Sequence, residues 1–189
     1  MPSGRGCRRQ TRAHGASGVV IVKCCWDLRE RLVGYDPSLV ISVMGPGPTP
    51  SLPGLLPSAR HIRIVVHEIT SDAEASGHRV KPALVHVKQI TKAARAWNRV
   101  GNVVIHCGAG VSRAPAAALI IFAAVWPEGV ARAAHQLRRQ AAWAALSKLL
   151  LRKGGQLLDL GGPLLRELIS MGPAKPSGRV RPTILAEPS

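Results

Sequence analysis

The sequence predicts a single α/β domain, a three-layer open and mostly parallel sheet flanked by helices, and three observations carry that expectation. Strand-length apolar runs recur at 39–44, 61–66 and 103–105, separated by Gly- and Pro-marked loops and by stretches with helical spacing. The run Val103-Val104-Ile105 is wholly apolar, as a strand covered on both faces must be. The length of 189 residues and a hydrophobic content of 46% suffice for one domain with a sizeable core.

Residues 1–18 are rich in Gly, Ser and Arg without periodicity and read as a disordered basic tail, leaving residues 19–171 for the folded domain. Residues 19–22 open the sheet, and a short helical segment carrying Asp27, Arg29, Glu30 and Arg31 follows. The buried-strand run at 39–44 halts in Gly45-Pro46-Gly47-Pro48-Thr49-Pro50. Residues 61–66 alternate and then turn apolar, a third strand leading into the polar stretch 67–77. Pro82 suits the first turn of a helix in which Val87, Ile90, Ala94 and Trp97 share one face.

Gly101-Asn102 marks the turn into the strand at 103–105. Residues 114–125 are apolar on every side, as a helix in the middle of a domain must be. Two covering helices follow, one holding Val130, Ala134, Leu137 and Ala141, the other Leu146, Leu149 and Leu150. From 172 to 189 the composition returns to Pro, Gly, Ser and Arg, which reads as a second disordered tail.

The formal net charge is +16, a field that would draw nucleic acid, anionic membrane or phosphorylated ligands, or that serves solubility alone. The basic residues are scattered, and the aromatic share of 3% supplies few platforms for stacked bases, so nucleic acid is not the expected partner. Cys7, Cys24, Cys25 and Cys107 have neither metal-ligand spacing nor the pattern of a disulfide framework. No apolar stretch reaches the roughly 20 residues needed to span a bilayer. These features together lead to the expectation of a cytoplasmic, reduced protein without metal or cofactor.

The richest segment is His106-Cys107-Gly108-Ala109-Gly110-Val111-Ser112-Arg113, which places an arginine six positions after a cysteine, between a strand and a helix. A strand ending here delivers Cys107 to the carboxyl edge of the sheet, and the following helix aims its N-terminal N–H groups back at the sulfur. The backbone from Gly108 to Arg113 can curl into an anion nest, which Gly108 and Gly110 permit. Arg113 supplies a fork able to bind two phosphoryl oxygens. Both the helix and Arg113 favour the thiolate.

The pattern His-Cys, five residues, Arg resembles the signature of the cysteine-dependent protein tyrosine and dual-specificity phosphatases. The resemblance implies a phosphatase-like fold in which Cys107 attacks phosphorus, Arg113 and residues 108–112 (Gly108, Ala109, Gly110, Val111 and Ser112) hold the phosphoryl oxygens, and His106 supports the loop by hydrogen bonding. It implies a general acid just past the third strand, where Glu68 stands, with Asp72 the rival and Glu74 a third candidate. The family's Ser or Thr after the arginine is here Ala114, a departure that slows release of the cysteinyl-phosphate unless Ser112 substitutes. His67-Glu68-Ile69 and Leu151-Arg152-Lys153-Gly154-Gly155 resemble bacterial members of the superfamily.

The expected activity is phosphomonoester hydrolysis, on a phosphorylated protein, phosphotyrosine first, or on a small phosphomonoester. The alternative is a pseudophosphatase that binds phosphorylated partners with little turnover. A lipid 3-phosphatase would want basic residues inside the loop, and Gly108 to Ser112 carry none. A rhodanese-like sulfur carrier would not need the arginine at this spacing.

Overall fold

The structure is a computed structural model that describes residues 20–24, 32, 35–48, 51–52, 55, 57–69, 78–97, 99–160, 162, 166, 170–175 and 182–185. The expected helix near Asp27 and the tail 1–18 lie outside the described residues. Five strands, β1 (Val20–Cys24), β2 (Pro37–Met44), β3 (Arg60–Val65), β4 (Asn102–Cys107) and β5 (Thr183–Leu185), form one sheet in the order β3-β2-β4-β1-β5. The β3-β2, β2-β4 and β4-β1 pairs are parallel and only β5 is antiparallel, so the sheet is mostly parallel, as the apolar runs require.

Alternation along the strands sorts the side chains into two cores. Leu39, Ile41 and Val43 of β2 and Val103, Ile105 and Cys107 of β4 face the larger cluster. That cluster also takes Val87, Ile90 and Ala94 of α1 (Leu84–Ala96), the buried side of α2 (Arg113–Val125), Ala133, Ala134 and Leu137 of α3 (Val130–Gln140) and Leu150 and Leu151 of α4 (Lys148–Leu158). Val40 and Val104 point the other way, to Leu32 with Tyr35, Leu52 and Leu55. Cys107 and His106, as neighbours on one strand, therefore address opposite faces of the sheet.

Helix α2 is buried without interruption from Ala114 to Ala123, in keeping with its uniformly apolar sequence. Phe122 and Trp126 stack at 5.0 Å, and Trp126 meets Trp97 edge-on at 5.8 Å, so the few aromatic residues gather where α1 and α2 end. Among the described residues no helix is long and apolar enough to cross a membrane.

Several boundaries move. Pro82 lies before α1, whose N-cap is Ala83, and the His86 ring accepts the Ala83 N–H at 3.0 Å, a service proline at that position could not have drawn on. Trp97 and Ala141 cap α1 and α3 from just beyond their last turns, and Leu146 precedes α4. The larger correction concerns the C-terminal tail, where Thr183–Leu185 form β5 on the edge of the sheet against β1. The side-chain amide of Gln140 accepts from Ile184 N–H at 2.9 Å and donates to its carbonyl at 2.7 Å, satisfying the edge that β1 does not reach.

Candidate active site

Strand β4 ends at Cys107 and α2 starts at Arg113, so the five residues between them form the expected loop. Cys107 is a free thiol, 2% exposed, set among the apolar side chains of the helix face. Gly110 has φ +71°, a left-handed conformation that an L side chain adopts only under strain. Gly108 does not carry that requirement: a Cβ there would meet Arg113 Nη2 at 3.6 Å, ordinary van der Waals distance. Of the two glycines expected to permit the curl, the second is the one whose backbone requires glycine.

The loop is held by its carbonyls. Val111 O accepts from Ala145 N–H at 3.0 Å, and Ser112 O accepts from Ala116 at 3.2 Å and from Ser147 at 3.4 Å. Among the described residues no backbone hydrogen bond is donated by residues 109–112. Amides without backbone acceptors in a tight loop are free to donate to an anion.

Arg113 folds back over the start of the loop. Its Nη1 donates to Val66 O at 2.8 Å, and its Nε lies 3.0 Å from Glu68 Oε2, an ion pair in which the Nε–H is not aimed for a hydrogen bond. Ser112 Oγ donates to the other carboxylate oxygen, Oε1, at 2.6 Å. Glu68, expected as the proton donor, is thus brought to the loop by two contacts in which it acts as the anionic partner. Ser112, expected to stand in for the missing hydroxyl at Ala114, has its proton committed to Glu68, and Ala114 itself is fully buried. Asp72 and Glu74 lie outside the described residues.

Beside the loop opens a cleft of about 760 Å³, walled by Glu68 and Ser112 on one side and by residues 144–148 and 172–174 on the other. Arg138 braces its floor by donating to the carbonyls of Ala142, Ala144, Met171 and Gly172 at 2.7 to 3.1 Å. Cys107 is not among the residues that line the cleft.

His106 departs from its expected part. It is fully buried, and its Nε2 lies 2.5 Å from Ser42 Oγ on β2, its register partner, and not against the loop. Ser42 Oγ is in turn 2.7 Å from His61 Nε2 on β3, while His106 Nδ1 is buried without a partner among the described residues. Burial first, and the neighbouring His61 second, push the His106 imidazole down to about 4. Neither Ser42 nor His61 was singled out from the sequence; the signal available was a lone serine inside an otherwise apolar strand.

A neutral buried imidazole makes stability depend on pH with a definite sign. The unfolded chain takes up a proton on His106 as pH falls through about 6.5, the folded chain only near about 4, so stability is full above the first value and is lost toward the second. The loss is about 3 kcal/mol. Urea melts near neutrality and in mild acid are expected to show it, and His106→Gln, which does not titrate, to remove that share. An unchanged acid dependence in the variant would refute the assignment.

No family profile matches the sequence, and no curated protein matches it. Solved structures do share the fold. Human DUSP28 is 16% identical, with a TM-score of 0.57 over 78% of this chain and 94% of that one. DUSP15 is 16% identical, with a TM-score of 0.56 over 84% of this chain and 99% of that one. The Yvh1 phosphatase domain from Chaetomium thermophilum is 17% identical, with a TM-score of 0.53 over 79% and 94%. The fold is that of the dual-specificity phosphatases.

Proposed function

We propose that this chain is a cysteine-dependent phosphatase hydrolysing phosphomonoesters, protein phosphotyrosine foremost, through a cysteinyl-phosphate intermediate. The observation that carries the reading is Arg113 folded back onto Gly108, next to Cys107, in a loop whose amides at 109–112 have no backbone acceptor among the described residues. The likeness of fold supports it.

In this reading the Cys107 thiolate attacks phosphorus in line, the S–P bond forms as the bond to the leaving oxygen breaks, and that oxygen takes a proton. Water then cleaves the S–P bond, giving inorganic phosphate and the thiolate. Loop amides and Arg113 meet the charge on the equatorial oxygens. Phosphate and Glu68 compete for one guanidinium, so substrate binding frees the Glu68 carboxylate from its ion pair, and once it has taken a proton from solvent it can pass that proton to the leaving oxygen. The cleft along Glu68 and Ser112 receives the part of the substrate beyond the phosphate. A phosphorylated protein or a small phosphomonoester is the partner, and a cytoplasmic setting suits a nucleophilic free thiol.

The alternative, a phosphate-binding pseudophosphatase, is favoured by one observation: Ala114 has no hydroxyl and that of Ser112 is bonded to Glu68, so neither position offers a free hydroxyl to the departing thiolate. Trapping with radiolabelled phosphomonoester separates the two. Label is expected to accumulate on Cys107, and Ala114→Ser to release it about tenfold faster, the worth of one hydrogen bond to an anion. Tight phosphate binding with no covalent label would sink the enzyme reading.

A further inference from the structure

Ser42 Oγ touches two imidazoles, His61 Nε2 at 2.7 Å and His106 Nε2 at 2.5 Å, and it has one proton to give. The rings cannot both accept from it, and if both donated, the buried Ser42 O–H would have no acceptor among the described residues, so one ring donates and the other accepts, and when both are neutral they hold opposite tautomers. The buried, unpartnered Nδ1 of His106 decides which is which. If His106 accepted at Nε2, its Nδ1 would be an orphan N–H. If it donates from Nε2, Nδ1 is a bare lone pair. Buried orphan N–H groups are the rarer of the two defects. The neutral chain thus runs His106 Nε2–H to Ser42 Oγ, and Ser42 Oγ–H to His61 Nε2.

We infer that Ser42 and His61 are positioning residues of the phosphate loop, which set the tautomer of His106 through a three-residue relay, and that protonating His61 reverses that tautomer. A doubly protonated His61 can only donate from Nε2, which turns the Ser42 proton toward His106 and moves the His106 proton to Nδ1. The ring lies across the sheet from the thiol, so it acts through the backbone it shares with Cys107 and through its dipole, not by contact. The inference rests on the phosphatase reading for its catalytic consequence, but its first test does not.

Of the charged groups about His61, Arg63 lies on its own strand and His106 across β2, which itself contributes the uncharged Ser42. Burial and then Arg63 hold His61 below the ordinary imidazole range, so the reversal falls on the acid side of neutrality.

Nitrogen-15 spectra of the histidine-labelled full chain read the tautomers directly. From about pH 8 to about pH 5, the span in which imidazoles titrate, His106 is expected to change from the Nε2–H to the Nδ1–H form in step with His61. His61→Gln, which keeps a hydrogen-bonding group at the Nε2 position and cannot titrate, is expected to abolish the change. Ser42→Ala is expected to weaken vanadate binding about tenfold, with Ser42→Thr restoring it. Thermal unfolding of each variant reports its fold, and should Ser42→Ala not fold, His61→Gln carries the same test. A His106 tautomer that ignores His61, or vanadate affinity unaltered in a folded Ser42→Ala, overturns the relay. Absence of hydrolysis in wild type, with the tautomer change intact, overturns only the phosphatase reading.

Discussion

Cys107→Ser is expected to lower hydrolysis of para-nitrophenyl phosphate by at least about 10³-fold while leaving inorganic phosphate bound. Serine keeps the shape of cysteine but ionises far less readily, so the variant removes the nucleophile without removing the loop. The held carbonyls of Val111 and Ser112 and the left-handed turn at Gly110 do not depend on the sulfur. Stability against heat is expected to drop by the cost of placing a hydroxyl among the apolar side chains around Cys107, about 1–3 kcal/mol, so the two proteins are compared well below their transitions. Phosphate protection against unfolding gives the second readout, growing with phosphate concentration alike in both proteins. A variant as active as wild type would end the enzyme reading, and one that neither turns over nor binds phosphate would remove the loop as the anion site.

What the sequence disclosed was whatever is local. The Cys107 to Arg113 spacing, the apolar run before it and the all-round apolar stretch after it lie within about two dozen consecutive residues, and strand, loop and helix emerged in that order. Glu68 was reached through the family resemblance, and the structure brings it to Arg113, although as an ion-pair partner. Contacts set by register were hidden. Ser42 and His106 are 64 positions apart and meet only because β2 and β4 pair in parallel with those two residues opposite each other. The edge strand β5 was masked by its setting: three residues of strand character amid Pro, Gly and Arg carry no periodicity, and their pairing comes from β1 and from the Gln140 amide. Gly108 and Gly110 look alike in the sequence as residues that permit the curl, and only the backbone angles separate the one that requires glycine from the one that does not.

Arg113→Lys is expected to lower kcat by about 10²- to 10³-fold, the scale of removing a preorganised donor from a site of developing negative charge. The charge survives the substitution, so the test isolates geometry. In the native protein one guanidinium spends Nη1 on Val66 O, pairs Nε with Glu68 and lays Nη2 over Gly108, three directions that an ammonium on a flexible stem cannot hold at once. Lysine can keep the ion pair with Glu68 or reach the phosphate, not both while anchored to the β3 end. On the proposed reading the fork serves the equatorial oxygens of the transition state, so kcat is expected to fall more than KM rises. Should lysine restore full turnover, the guanidinium is merely a strut between β3 and α2, and the phosphate must be held by the amides of residues 109–112 alone.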